Sequence, residues 1–226
     1  MAAPGVDFDP ADPGTTGQVM EFRVVPLASN DNSRDPARLT LPAFRPLRPA
    51  THTRQVSLNE EESNFPGFDG PIAALLGTLA GDENPVPLAW EDDITENPAV
   101  GAVEIWEIYN FTEDAHPIHI HEVQFQVVDR QPFEGEARPP EVWETGFKDT
   151  VIAYPEEITR VKALFDRPGL FVWHCHIVEH EVHEDNEMMR PYHIGPIPDG
   201  CQAREQSTGP TARDGQPLAI ETDVNQ

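Results

Sequence analysis

An all-β fold, an antiparallel sandwich or barrel with short helical segments, is what this 226-residue sequence predicts. Two observations carry the prediction. From Val100 to Val178, β-branched and aromatic residues fall into short runs, one of which, EVQFQVVDR, alternates cleanly. Turn residues (Pro, Gly, Asn, Asp) separate these runs at intervals of roughly 8–15 residues, with little helical periodicity between them.

The elements follow in chain order. Residues 1–17 are rich in Pro, Gly and Asp and read as an irregular lead-in without the basic and apolar blocks of a signal peptide. QVMEFRVVPL (18–27) alternates as a strand, and a lone strand has no stability of its own. It reads as the closing strand of an earlier unit. Residues 28–52 are polar and Pro/Arg-rich, a connector wrapping a surface. TRQVSLNE (53–60) reads as a strand, and PIAALLGTLAG (71–81) as either a helical turn or a packed loop. AVEIWEIYNF (102–111) ends in Asn-Phe-Thr-Glu-Asp turn chemistry, and EVQFQVVDR (122–130) places Val123, Phe125 and Val127 on one face. FKDTVIAY (147–154), EITRVKALF (157–165) and LFVWHCHIV (170–178) follow, split by Pro155 and by the Arg167–Pro168–Gly169 turn. Residues 198–226 read as an acidic, disordered tail.

Charge narrows the partners. Forty acidic against fifteen basic residues give a net charge of −25, which excludes phosphate-binding surfaces for nucleic acid and anionic membranes. No apolar run reaches the roughly 18 residues of a membrane-spanning helix. Only Lys148 and Lys162 are lysines, and an acidic, lysine-poor surface suits solubility in high salt. Two cysteines make no disulfide framework, and Cys201 is left free or pairs with another chain.

Seven of nine histidines fall in two clusters, DAHPIHIHEVQF and FVWHCHIVEHEVHEDNEMMRPY. A scattered histidine is ordinarily a satisfied core or surface group; two dense clusters, one with Cys and Met, are not scattered. On a strand, neighbouring side chains point to opposite faces. His174 and His176 therefore share one face, with Cys175 on the other beside Trp173 and Ile177. His119 and His121 share a face in the same way and join His174 and His176 if the strands are neighbours. Pro117 is expected to end regular pairing and leave His116 on a loop that turns toward Cys175. A thiolate, two imidazoles and a thioether select copper in a blue-copper arrangement. Structural zinc would bring Cys-x₂₋₄-Cys spacing, which the chain lacks.

HPIHIH followed by WHCHIVEHE and MMRPY resembles the C-terminal cupredoxin domain of three-domain multicopper oxidases of the laccase and spore-coat type, over about residues 50–197. The resemblance implies a cupredoxin-like Greek-key sandwich or barrel over 53–197, with 1–27 as the terminal strand of a preceding domain. It implies His116 and Cys175 as type 1 copper ligands, His119 as a type 2 ligand, and His121, His174 and His176 as type 3 ligands. The family pattern runs His-Glu-Asp-x-Glu-Met-Met, with the axial Met at the position held here by Asp185. Glu181-Val182-His183 reads as an insertion that repeats the His-Glu step. Counted from Cys175 the remaining ligand is His180; counted back from Met188 it is His183. The rigid strand end sets the distance from Cys175, which favours His180, with Met188 axial through a long and forgiving bond and Met189 in the core. A carboxylate after that histidine implies a catalytic proton relay, Glu181, or Glu184 in the other register.

The family's trinuclear copper cluster takes eight histidines, and this chain holds the four of the C-terminal domain. The implied partners are therefore an N-terminal multicopper oxidase fragment or further copies of this chain, besides O₂ and a small reducing substrate. The implied activity is one-electron oxidation of phenols or similar substrates coupled to reduction of O₂ to water, in a family often exported. The alternative is a non-catalytic blue-copper electron-transfer module. A cupin-like mononuclear enzyme built on HPIHIH leaves the His-Cys-His segment unexplained.

Overall fold

The computed structural model describes residues 12–15, 17, 18, 20–40, 42–62, 71–180 and 188–198. Among these residues eleven strands form: β1 (His52–Glu62), β2 (Pro71–Ala80), β3 (Asn84–Pro87), β4 (Ala102–Asn110), β5 (His116–Ile120), β6 (Phe125–Pro132), β7 (Phe147–Lys148), β8 (Thr150–Ala153), β9 (Glu157–Phe165), β10 (Gly169–Cys175) and β11 (Met189–Ile194). Helical structure among the described residues is confined to short 3₁₀ turns, including Val142–Glu144 and Val178–His180. A seven-stranded sheet, β3-β2-β1-β4-β9-β6-β7, faces a four-stranded one, β11-β10-β5-β8.

One pairing departs from the antiparallel expectation. β1 runs parallel to β4, with His52 opposite Glu104 and Leu58 opposite Asn110. The long excursion through β2, β3 and residues 88–101 supplies the crossover that a parallel pair requires. Residues 71–80 form a strand, neither a helical turn nor a loop. Ala73, Ala74, Leu76 and Gly77 are all buried, so both faces are covered and no alternation survives in the sequence. Gly77 is there for close approach: a Cβ at this position would lie 2.1 Å from the Val86 carbonyl oxygen of β3.

Between the sheets lies an apolar core that alternation assembles. Trp106 of β4 stacks on Phe165 at 5.6 Å and meets Trp173 and Tyr192 edge-on, each at 5.7 Å. Ile118, Ile120, Phe125 and Cys175 complete its lower part, all fully buried or nearly so. The connector's last residues lie across the outer face of the large sheet. Leu47 N–H donates to Gln126 Oε1 at 3.3 Å, Lys162 Nζ donates to Leu47 O at 3.4 Å, and Thr51 N–H donates to Val103 O at 2.7 Å.

Residues 20–27 form no strand among the described residues, and Met20, Phe22, Val24 and Leu27 are exposed. The alternating pattern is present, but a strand exists only through a partner's hydrogen bonds.

Candidate metal centres

β5 and β10 are neighbours, with His174 opposite His119 and Cys175 opposite Ile118. This register and the two-residue period put the chemistry on both faces of the small sheet. Inward point His116, Ile118, Trp173 and Cys175; outward point His119, His174 and His176, with His121 just past the end of β5.

On the inner side, Cys175 Sγ lies 3.7 Å from His116 Nδ1 and 3.7 Å from His180 Nδ1. The three donor atoms lie within 4.8 Å of one another. Two donors ~2.1 and ~2.3 Å from one ion, near the tetrahedral angle, stand ~3.6 Å apart, so these separations fit a single metal ion. Cys175 and His116 are inaccessible to solvent, while His180 is half-buried. Burial, and then the charge of His180, lower the His116 pKa to about 4. Its imidazole stays neutral and able to ligate across the ordinary pH range. In the metal-free chain His116 favours the folded state above its ordinary pKa of 6.5, and that contribution is lost as the pH falls toward about 4.

Met188 is fully buried beside this group. Its N–H donates to the His180 carbonyl and its own carbonyl accepts from Cys175 N–H, both at 2.9 Å. The 3₁₀ turn Val178–His180, closed by His180 N–H to Ile177 O at 2.9 Å, brings His180 back toward the sulfur. His183, Glu181 and Glu184 lie outside the described residues, as does Cys201.

His116 is not on a loop. It opens β5 and pairs with Ala153 of β8, and Pro117 pairs with Ile152. Proline is tolerated because Pro117 directs its carbonyl to His176 N–H at 2.7 Å, on the β10 side. The missing donor falls on that same side, just past Cys175, where the β5–β10 ladder has ended.

On the outer side, donor nitrogens of His119, His121 and His174 also lie within 4.8 Å of one another. His121 Nε2 and His174 Nε2 are 3.1 Å apart, within the ~2.8–3.3 Å expected of two nitrogens on one ion. Backbone carbonyls orient two of these rings. His119 Nδ1–H donates to Asp149 O at 2.7 Å, and His174 Nδ1–H donates to Cys175 O at 2.9 Å. Each bond leaves Nε2 with its lone pair for a metal, which is how ligating histidines are held. His176 is exposed on the same face, its ring 5.2 Å from that of His174 and 5.7 Å from that of His119, outside the three-donor group. His52, at the exposed start of β1, and His193, buried in β11, stand in neither set.

Residue types alone do not reveal the groups behind the rings. Asp149 and Thr150 of the β8 edge carry no signal, because only the β5–β8 pairing brings them to His119. Asn110 and Thr112 are legible only as turn formers; Thr112 Oγ1 in fact sits 2.7 Å from His116 Nε2.

A family model described as multicopper oxidase matches residues 49–197. The chain is 38% identical over 199 residues to a laccase of Bacillus subtilis, covering 81% of this chain and 36% of that protein. It is 39% identical over 188 residues to a laccase of Haloferax volcanii, covering 80% and 29%. Its fold superposes on a multicopper oxidase of Aquifex aeolicus with a TM-score of 0.52 at 26% identity, over 69% of this chain and 32% of that one. The chain thus spans about a third of the length of the relatives it matches. The sandwich is cupredoxin-like, its sulfur-and-imidazole set is consistent with type 1 copper, and by the family match over residues 49–197 the chain belongs to the copper-using multicopper oxidases.

Proposed function

We propose that this chain is the C-terminal part of a laccase-like enzyme. Copper bound to it supplies one-electron chemistry: electrons from phenolic or similar reducing substrates enter at a type 1 centre and serve to reduce O₂ to water at a trinuclear cluster. In this reading residues 1–27 close a preceding domain, 28–52 connect, 53–197 form the C-terminal cupredoxin domain and 198–226 form a tail.

One observation carries the proposal: a single strand end turns Cys175 into the core and His174 and His176 outward, each side meeting further nitrogen donors. His116, Cys175 and His180, with the thioether of Met188, would hold the type 1 ion. The proximity of His180 Nδ1 to Cys175 Sγ supports His180 over His183. His119 serves the type 2 ion; His121, His174 and His176 serve the type 3 pair. Peptide bonds link Cys175 directly to both His174 and His176, and the hydrogen bond from His174 Nδ1–H to the Cys175 carbonyl shortens one of these routes. Water is kept from the thiolate by the apolar core around it. Glu181, next in sequence to His180, is the proposed carrier of protons for oxygen reduction.

The outward face supplies four imidazoles and leaves His121 and His176 exposed. The rest of the cluster comes from an N-terminal multicopper oxidase fragment or from further copies of this chain, which accords with the chain's span of about a third of its relatives.

Copper content, colour and oxygen uptake test this. The copper-loaded chain alone is expected to be blue and to consume no O₂ with a phenol; adding the N-terminal part is expected to start uptake. A blue chain inert in both conditions leaves only an electron-transfer module, and a colourless chain rejects the reading. His180→Ala is expected to weaken copper at the blue centre by more than the ~10–100-fold that loss of an orienting partner costs, while His183→Ala leaves it nearly unchanged. Copper titration followed by visible absorption checks the ranking; the reverse order moves the ligand to His183.

A further inference from the structure

Behind His116, on the side away from Cys175, three buried polar groups stand in a row. Asn110 ends β4 with no exposure, Thr112 is 3% exposed and His116 is fully buried. Their hydrogen bonds point to one assignment of protons.

Asn110 Nδ2 donates to the carbonyls of Asp114 and Ala153, at 2.8 and 3.1 Å. Both partners are pure acceptors, so the amide's orientation is settled and its Oδ1 faces Thr112. That oxygen accepts from Thr112 N–H at 3.0 Å and from Thr112 Oγ1–H at 2.8 Å. The Asp114 carbonyl, 3.1 Å from Thr112 Oγ1, is an acceptor as well. A hydroxyl has one hydrogen; committed to Asn110 Oδ1, it leaves both oxygen lone pairs to accept, one of them from Asp114 N–H at 3.3 Å. Thr112 Oγ1 therefore meets His116 Nε2, 2.7 Å away, as an acceptor. The imidazole proton sits on Nε2, and Nδ1 presents its lone pair toward Cys175 Sγ.

We infer that Thr112, itself held by Asn110, is a positioning residue that locks His116 in the Nε2–H tautomer and so aims its Nδ1 lone pair at the ion shared with Cys175. Ala153 pairs with His116 across β5–β8 and its carbonyl accepts a hydrogen bond from Asn110, so the same strand carries both the ring's backbone and its lock. An alternative acceptor is on hand in Glu60, whose Oε1 lies 3.7 Å from the same Nε2, beyond hydrogen-bonding reach. A threonine hydroxyl with its hydrogen already committed orients the ring without adding a charge beside the thiolate. The inference rests on His116 being a copper ligand, but the tautomer itself is measurable without copper.

The test takes the metal-free full chain first. Long-range ¹H–¹⁵N correlation of the His116 ring is expected to show a protonated Nε2 and a bare Nδ1. Thr112→Val removes the acceptor while keeping the shape; it is expected to mix the tautomers, weaken copper at the blue centre by about 10–100-fold and shift its absorption band. Thr112→Ser restores the hydroxyl and is expected to restore all three, which a purely structural role for the threonine would not require. Glu60→Gln is expected to leave the tautomer as it is. A protonated Nδ1 in the wild-type chain overturns the proposal on its own, even if Thr112→Val does not fold. So does a Thr112→Val chain with unchanged tautomer and copper affinity, or a Glu60→Gln chain that mixes the tautomers in its place. A wild-type chain that binds no copper at all rejects the copper reading, and the ring's nitrogen signals still decide the role of Thr112.

Discussion

Cys175→Ser is expected to abolish the blue absorption completely and to leave metal binding at the outer histidines intact. The expectation is all-or-none because the colour belongs to a copper–thiolate bond, and a serine hydroxyl is a hard oxygen that stays protonated at neutral pH. His116 and His180 would remain, but two imidazoles without the soft sulfur no longer make a blue-copper set. The fold is expected to persist. Serine is nearly the size of cysteine, and the site is already lined by two imidazole nitrogens, each 3.7 Å from the sulfur. A hydroxyl that finds no partner there costs about 1–3 kcal/mol, measurable as a lower denaturant midpoint. The outer site survives because alternation separates it: His174 and His176 project from the opposite face of the same strand, and His119 is held by the Asp149 carbonyl. Visible absorption and copper content of the purified variant check both halves. A variant that stays blue refutes the ligand assignment; one that loses copper on both faces shows that the two sites are not independent.

That separation is legible in the amino-acid sequence, because a period of two needs only the order of residues. The strand over 157–165 and the one starting at Ala102 have the bounds their turn-flanked apolar runs predict, within a residue. Other elements obey tertiary facts that local pattern does not carry. β2 is covered on both faces, so its Ala and Leu residues show neither period. β11 reads MRPYHI, with a charge and a proline inside it, yet Arg190 is wholly buried because the carbonyls of Ala89 and Asp93 receive its guanidinium. Nothing near Arg190 in sequence announces those partners. Residues 20–27 show the reverse case, a legible strand whose partner is not among the described residues of this chain. At Pro117 the rule that proline ends strand pairing holds for the β10 side and fails for the β8 side, since which edge a proline faces depends on where its neighbouring ladder stops. The donor sets are legible as residue types. The atoms that orient them, the Thr112 hydroxyl and the Asp149 carbonyl, are not.

Arg130→Ala is expected to cost about 3–5 kcal/mol at neutral pH, the range for removing one partner of a buried ion pair. Arg130 and Glu144 face each other as two forks, Nη1 to Oε2 at 2.5 Å and Nη2 to Oε1 at 2.6 Å, with both side chains nearly inaccessible. Arg130 also donates to the Ile152 carbonyl at 3.0 Å, and Glu144 Oε2 accepts Glu141 N–H at 2.9 Å. The pair thus ties β6, the Val142–Glu144 turn and β8 together. Burial alone would raise the Glu144 carboxyl, but hydrogen bonds from Arg130 and from the Glu141 N–H, with the charge of Arg130, outweigh it and hold the carboxyl below its ordinary 4.5. A lowered carboxyl stabilises the folded chain above its ordinary pKa, and that contribution is lost as the pH falls below it. Without Arg130 only burial and weaker attractions remain, and acid relieves the orphaned charge by protonating it. The gap between wild type and variant is therefore expected to be widest near neutrality and to narrow below about pH 4.5. Urea midpoints at both pH values measure it, and Arg130→Met with Glu144→Leu is expected to recover most of the loss, because no charge is then left buried. A neutral-pH loss below about 1 kcal/mol, or a gap indifferent to pH, rejects the account. The consequence reaches the metal. Ile152 precedes Ala153, which pairs with His116 and accepts a hydrogen bond from Asn110, so a β8 loosened by Arg130→Ala is expected to weaken copper at the inner site more than at the outer one.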